Sequence, residues 1–225
     1  MKTVLVNFIK GILAGVAIGI GGLLYVLMTA AFSGDLLELG KILGSILFAV
    51  GLFLVCTFYL SLYTGKIGLI YEKKQDKLFY ISLPIMLIGN LGGALFFGFV
   101  SYLIFKDTSV YNAALNAANS RLALNAPLDY VSTCIKSFLC GVCVYLAVKA
   151  FNLNRLKPLG IILLVFFVFL FVYCGFQHCI ANMFYFGMAN TYCIELIINL
   201  VLVIIFNSLG PIVPVYLIKL IEKNK

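Results

Sequence analysis

The single histidine of this chain, His178, lies inside a long apolar stretch, in the run Gly175-Phe176-Gln177-His178-Cys179-Ile180-Ala181-Asn182-Met183-Phe184. An ionisable ring in membrane-like sequence is costly, and such groups typically face a pathway rather than lipid. With one such ring, proton-linked chemistry near neutral pH has few other candidates. An imidazole can donate an N–H to an anion and, when charged, hand it a proton. A second polar interruption, Ser61-Leu62-Tyr63-Thr64-Gly65-Lys66-Ile67-Gly68, falls in an earlier apolar stretch. An anion entering an apolar constriction loses its hydration, which is strongly unfavourable without donors. Thr64, Asn207 and amides freed near Gly65 and Gly175 are expected to supply neutral donors, and Arg121, Lys136 and Lys106 to draw anions toward the outer mouth.

Each residue also has a plainer reading. His178 can be a buried ring bonded between helices, and Thr64 can bond its own helix backbone. Gln177, beside His178 on the expected substrate pathway, can equally satisfy backbone at a helix break. Asn90 and Asn207 can join neighbouring helices.

The elements that must position these groups are apolar throughout. The chain has 225 residues, of which 64% are hydrophobic and 11% charged, with mean hydropathy +1.13. A soluble globule of that length needs more polar surface. The composition predicts an all-α polytopic membrane protein in one domain over 1–225. Six apolar segments can be marked, at about 4–31, 42–71, 80–105, 130–150, 158–190 and 193–221. The first is too long for a signal peptide and lacks a cleavage site, so it reads as a retained span.

The net charge of +8 follows topology, not nucleic acid. With the N-terminus cytoplasmic, the inner side receives Lys2, Lys10, Lys66, Lys73, Lys74, Lys77, Lys149, Arg155, Lys157, Lys219, Lys223 and Lys225. The outer side receives only Lys41, Lys106, Arg121 and Lys136. This positive-inside bias places both termini in the cytoplasm of a multi-pass protein of the cell membrane. The seven cysteines lie mostly in apolar stretches and read as packing residues.

The second and fifth segments exceed the length a bilayer needs. Both are interrupted near the middle, a pattern that points to a binding site made of broken helices. Unwound backbone at that depth is tolerated only beside a cavity or inside protein. The third and sixth segments echo one another in Gly89-Asn90-Leu91-Gly92-Gly93 and Phe206-Asn207-Ser208-Leu209-Gly210. The chain therefore reads as two related halves, about 1–105 and 106–225. An odd number of spans in each half sets the two in opposite orientations.

The run at 175–184 resembles the signature of the formate/nitrite transporter family, usually Gly-Phe-Glu-His-x-x-Ala-Asn-Met. Leu62-Tyr63-Thr64-Gly65 is similar to that family's Leu-Phe-Thr segment, Gly89–Leu95 to its third-span motif, and Asn207-x-x-Gly210 to its sixth-span Gly-Asn-x-x-Gly. The resemblance implies six spans in an aquaporin-like inverted repeat, with a pore through each subunit of a homopentamer. It implies movement of small monovalent anions (formate, nitrite, hydrosulfide, lactate or acetate), alone or with a proton. It places His178 and Thr64 at the pore centre and Leu62 and Tyr63 at the outer constriction, with Phe176 and Phe184 as weaker pore candidates. The sequence departs from the family at Gln177 (usually glutamate), at Gly141 (usually asparagine after the cysteine) and at Arg121 (roughly the place of an entrance lysine).

Other classes fit less well. Cys140-Gly141-Val142-Cys143 has the spacing of a thiol redox pair. It lies in an apolar helix with no cation nearby, which disfavours a membrane thiol oxidoreductase. A water or glycerol channel would be expected to carry Asn-Pro-Ala boxes and a pore-lining arginine. One histidine disfavours metal and haem, and no phosphate-binding glycine loop suggests ATP coupling. No cofactor and no catalytic residue are expected.

Overall fold

The computed structural model describes residues 2–72, 75–122, 126–153 and 157–223. Among them every regular element is helical: α1 (Lys2–Ala31), α2 (Leu37–Thr57), α3 (Tyr63–Lys66), α4 (Leu69–Glu72), α5 (Lys77–Phe105), α6 (Ser109–Leu122), α7 (Pro127–Leu153), α8 (Lys157–Tyr173), α9 (Cys179–Met188) and α10 (Ile194–Lys223). Five stretches are long and apolar enough to cross a bilayer: Val4–Ala31, Gly34–Thr57, Lys77–Phe105, Pro127–Asn152 and Ile194–Lys223. The segment expected at 158–190 is divided between two shorter apolar helices, Lys157–Tyr173 and Cys179–Met188. Of the cations used to orient the chain, Lys73, Lys74, Arg155 and Lys225 lie outside the described residues.

The second apolar segment differs from expectation at both ends. Helix α2 begins at Leu37, upstream of Lys41, and Glu38 and Lys41 form an exposed pair one turn apart at 2.6 Å. Charged residues thus occupy the first turns of a helix that otherwise reads as apolar from residue 42. After Thr57 the helix stops, and only the single turns α3 and α4 follow.

Helix α1 packs against α5 and α2, and α7 packs against α10 and α8, while α5 meets α9 and α2 meets α8. Glycines set how closely these helices approach, Gly15 and Gly141 among them. A Cβ on Gly15 of α1 would overlap the Asn90 carbonyl of α5, and one on Gly141 of α7 would overlap the Asn207 carbonyl of α10. Small residues at such crossings let backbones touch, and dispersion then acts over the whole contact. Gly141 is therefore required by packing. A larger side chain there would push α7 off α10.

Helix α6 was not expected. Its alanines Ala114 and Ala118 are buried, and it packs against α1 and α9. It brings Arg121 in from what the sequence suggests is a loop.

Candidate functional site

Helices α2 and α8 end in the same backbone motif. Leu60 N donates to Val55 O at 2.9 Å and Tyr59 N to Cys56 O at 3.3 Å; Phe176 N donates to Phe171 O at 2.9 Å and Gly175 N to Val172 O at 3.0 Å. This pairing needs one residue in the left-handed region, and Tyr59 (φ 51) and Gly175 (φ 66) provide it. The chain then extends through Leu62 (φ −90, ψ 119) and His178 (φ −113, ψ 118) before helix resumes at Tyr63 and Cys179.

An asparagine clamps each interruption. Asn90 Oδ1 accepts from Tyr63 N at 2.8 Å, while its Nδ2 donates to Ser61 O at 2.9 Å and Gly11 O at 2.8 Å. Asn207 Oδ1 accepts from Cys179 N at 2.9 Å, while its Nδ2 donates to Gln177 O at 2.8 Å and Ser137 O at 2.7 Å. Buried backbone groups that lose helical partners must be satisfied elsewhere. Both amide protons of Asn207 are committed to carbonyls. The expectation that Asn207 offers a donor to an anion is therefore replaced: it positions the backbone that carries His178.

Thr64 and His178 come together from the two interruptions, Thr64 Oγ1 lying 2.9 Å from His178 Nε2, with both residues buried. The ring's other nitrogen caps α9, with Ala181 N donating to Nδ1 at 3.3 Å. A nitrogen that accepts carries no proton, so the network assigns the remaining proton to Nε2, which donates to Thr64 Oγ1. Phe171 flanks the ring at 6.0 Å between centroids.

Gln177 is adjacent to His178 in sequence but its side chain enters a separate amide network. Its Oε1 accepts from Asn199 Nδ2 at 2.8 Å and Asn182 Nδ2 at 3.1 Å, and its Nε2 donates to Thr133 Oγ1 at 3.2 Å. Arg121 joins through Nε, which donates to Asn182 Oδ1 at 2.8 Å, and its guanidinium carbon stands 4.2 Å above the Tyr185 ring. Asn182, Asn199 and Thr133 were not singled out from sequence. Lone amides and hydroxyls in apolar helices read as helix-to-helix contacts, and only the place of Asn182 in the His178 run gave a signal.

Two cavities flank this centre. One, of about 390 Å³, is lined by Arg121, Lys136, Lys41, Gln177 and Gly175 among others. It brings the two expected entrance cations together. The other, of about 290 Å³, is lined by Leu62, Gly65, Lys66, Glu72, Tyr145 and Lys149 among others. Leu62 thus stands with cations assigned to the inner side, not with Arg121 and Lys136 as the outer-constriction reading required. Tyr63 lines neither of these cavities; its hydroxyl pairs with Ser208 Oγ at 2.8 Å. Phe176 also lines neither and packs on the core edge. Phe184 is fully buried and stacks on Phe97 at 6.0 Å, so it packs α9 against α5.

Comparison with known proteins agrees with this architecture. The formate channel FocB of Escherichia coli (strain K12) is 25% identical over 185 residues, covering 79% of this chain and 64% of that relative. The formate channel FocA of Haemophilus influenzae is 24% identical over 195 residues, covering 81% of this chain and 66% of that relative. The chain thus spans just under two thirds of the length of these curated relatives. A solved pentameric formate channel with formate bound has a TM-score of 0.84 at 22% identity, covering 100% of this chain and 99% of that one. An FNT family ion channel has a TM-score of 0.72 at 22% identity, covering 92% and 85%. At these identities the structural likeness shows the fold. The model of the formate/nitrite transporter family matches residues 2–221, and the chain belongs to that family.

Proposed function

We propose that this protein moves small monovalent anions, formate or nitrite first, across the cytoplasmic membrane, alone or together with a proton. In this reading six spans form an inverted repeat of halves 1–105 and 106–225, both termini are cytoplasmic, and each subunit of a homopentamer has its own passage. The observation that carries it is the buried Thr64–His178 contact, made where two helix interruptions meet and flanked by two cation-bearing cavities. The matching clamps at Asn90 and Asn207 support the repeat.

An anion in the Arg121–Lys136 cavity is held by charge and then meets the His178 Nε2–H. There it takes the place of Thr64 Oγ1 as acceptor. Anion movement alone needs no change in ring protonation. Handing over a proton needs the doubly protonated ring, and then Nδ1 can no longer accept from Ala181 N. Proton-linked transport therefore loosens the start of α9 in each cycle.

Hydrosulfide stays as a second substrate reading, because one N–H donor and flanking cations serve any small weak-acid anion. A thiol oxidoreductase is set aside: the family is one of transporters, and Cys140 is buried in the core, where thiols are usually inert. A neutral-solute channel would ignore pH and charge. Uptake of formate, nitrite, lactate and hydrosulfide into proteoliposomes across a pH series tests the reading. Saturable uptake of at least one above empty vesicles is expected. If all four enter no faster than into empty vesicles, the proposal fails.

A further inference from the structure

The cavity beside Leu62 holds three charged side chains, Lys66, Glu72 and Lys149. The Glu72 carboxylate accepts from the Lys149 ammonium and from the Tyr145 hydroxyl. Lys149 is thus matched within the cavity. The two ion pairs among the described residues are Lys41–Glu38 and Lys149–Glu72, and Lys66 belongs to neither. Of the charged residues that line this cavity, Lys66 is the one outside these pairs.

Its ammonium is anchored but not saturated. Lys66 Nζ donates to Ser61 Oγ at 3.3 Å, Ser61 Oγ donates to Asn7 Oδ1 at 3.1 Å, and Asn7 Nδ2 donates to Ser82 Oγ at 3.1 Å. This relay ties the lysine to α1 and α5 through one of its three N–H groups. Lys66 ends α3, the helix turn that follows Leu62 and contains Thr64, and it lines the same cavity as Leu62. A partly buried cation without a carboxylate is costly in a membrane protein and marks an ion pathway.

We infer that Lys66 binds the anion at the mouth opposite Arg121, through a charge-assisted hydrogen bond from Nζ, on the far side of Leu62 from Thr64. The inference rests on the anion-transport reading. The site takes a small monovalent anion, and a flexible, strongly hydrated ammonium holds it loosely enough to let it leave. The passage then has a cationic station at each end, Arg121 at one and Lys66 at the other.

The test is formate flux measured separately from each face, in right-side-out and inverted membrane vesicles. The variants are Lys66→Gln, Lys66→Arg and Arg121→Gln, each beside the wild type. Lys66→Gln is expected to raise the half-saturating concentration about tenfold from one face only, the equivalent of one charge-assisted hydrogen bond. Arg121→Gln is expected to raise it from the opposite face, and Lys66→Arg to stay near wild type. The unaltered face of Lys66→Gln reports that the protein has folded. Unchanged half-saturation from both faces overturns the inference, as does an equal rise from both. Wild-type vesicles that move neither formate nor nitrite overturn the transport reading and this inference together, a result seen before any variant is made.

Discussion

Thr64 Oγ1 lies 2.9 Å from His178 Nε2, and the other ring nitrogen is already committed to the first turn of α9. The imidazole is therefore fixed at both ends, by a hydroxyl from one interruption and by an amide of its own helix. Thr64→Val removes the acceptor and leaves a buried Nε2–H unpaired, at a cost of about 1–3 kcal/mol. Formate flux is expected to fall about tenfold, while Thr64→Ser, which keeps the hydroxyl, stays within about twofold. Proteoliposome uptake at fixed pH compares them. A valine variant as fast as wild type would remove the contact from the mechanism.

His178→Asn separates the cap from the proton. Asparagine is a preferred N-cap residue, so Ala181 N keeps an acceptor and α9 its start. The titrating ring is gone. In the proton-linked mode, wild-type flux is expected to rise as pH falls on the side of anion entrance, because each anion must be accompanied by a proton from that side. The asparagine variant is expected to lose that rise while unfolding within a few degrees of wild type. Initial rates between pH 5 and 8 read the slope, and a retained slope would move proton coupling elsewhere.

The apolar segments and both interruptions were legible because hydropathy and polar breaks are local properties. The Thr64–His178 pairing could be anticipated only by resemblance, since the two residues meet through tertiary structure. Three features were not legible. Helix α6 is mixed in polarity, and its burial depends on Ala114 and Ala118 fitting against α1 and α9. The direction of the Gln177 side chain follows from where Asn182, Asn199 and Thr133 stand, on three other helices or turns. Which cavity Leu62 lines depends on how the chain runs after the α2 turn. Each of these is a tertiary fact that neither local spacing nor, for Leu62, the resemblance gives.

The two clamping asparagines give a stability prediction. Asn207→Ala strands the Cys179 amide and the Gln177 carbonyl, and Asn90→Ala strands the Tyr63 amide and the Ser61 carbonyl, while the Ser137 and Gly11 carbonyls keep their own helical partners. Each unsatisfied buried group costs about 1–3 kcal/mol. At about 2–4 °C per kcal/mol for a chain of this size, both variants are expected to unfold several degrees early, by similar amounts. Thermal unfolding in detergent measures it. A shift in one variant and not in the other would argue against equivalent roles.

Gln177→Glu tests how charge is set at the Arg121 mouth. A glutamate would keep the acceptor that serves Asn182 and Asn199, both of which donate. It would lose the donor to Thr133 Oγ1, whose hydroxyl can rotate and donate in turn. The network would therefore persist with a negative charge added one amide away from the Arg121 guanidinium, through Asn182. That charge would offset part of the field of Arg121 and Lys136 in the shared cavity. The half-saturating formate concentration from this mouth is expected to rise about three- to tenfold at low ionic strength, with little change in maximal rate. Adding salt to about 0.15 M, where the screening length is about 8 Å, is expected to narrow the difference. Half-saturation that does not move at low salt would show that the neutral amide does not set the entrance charge.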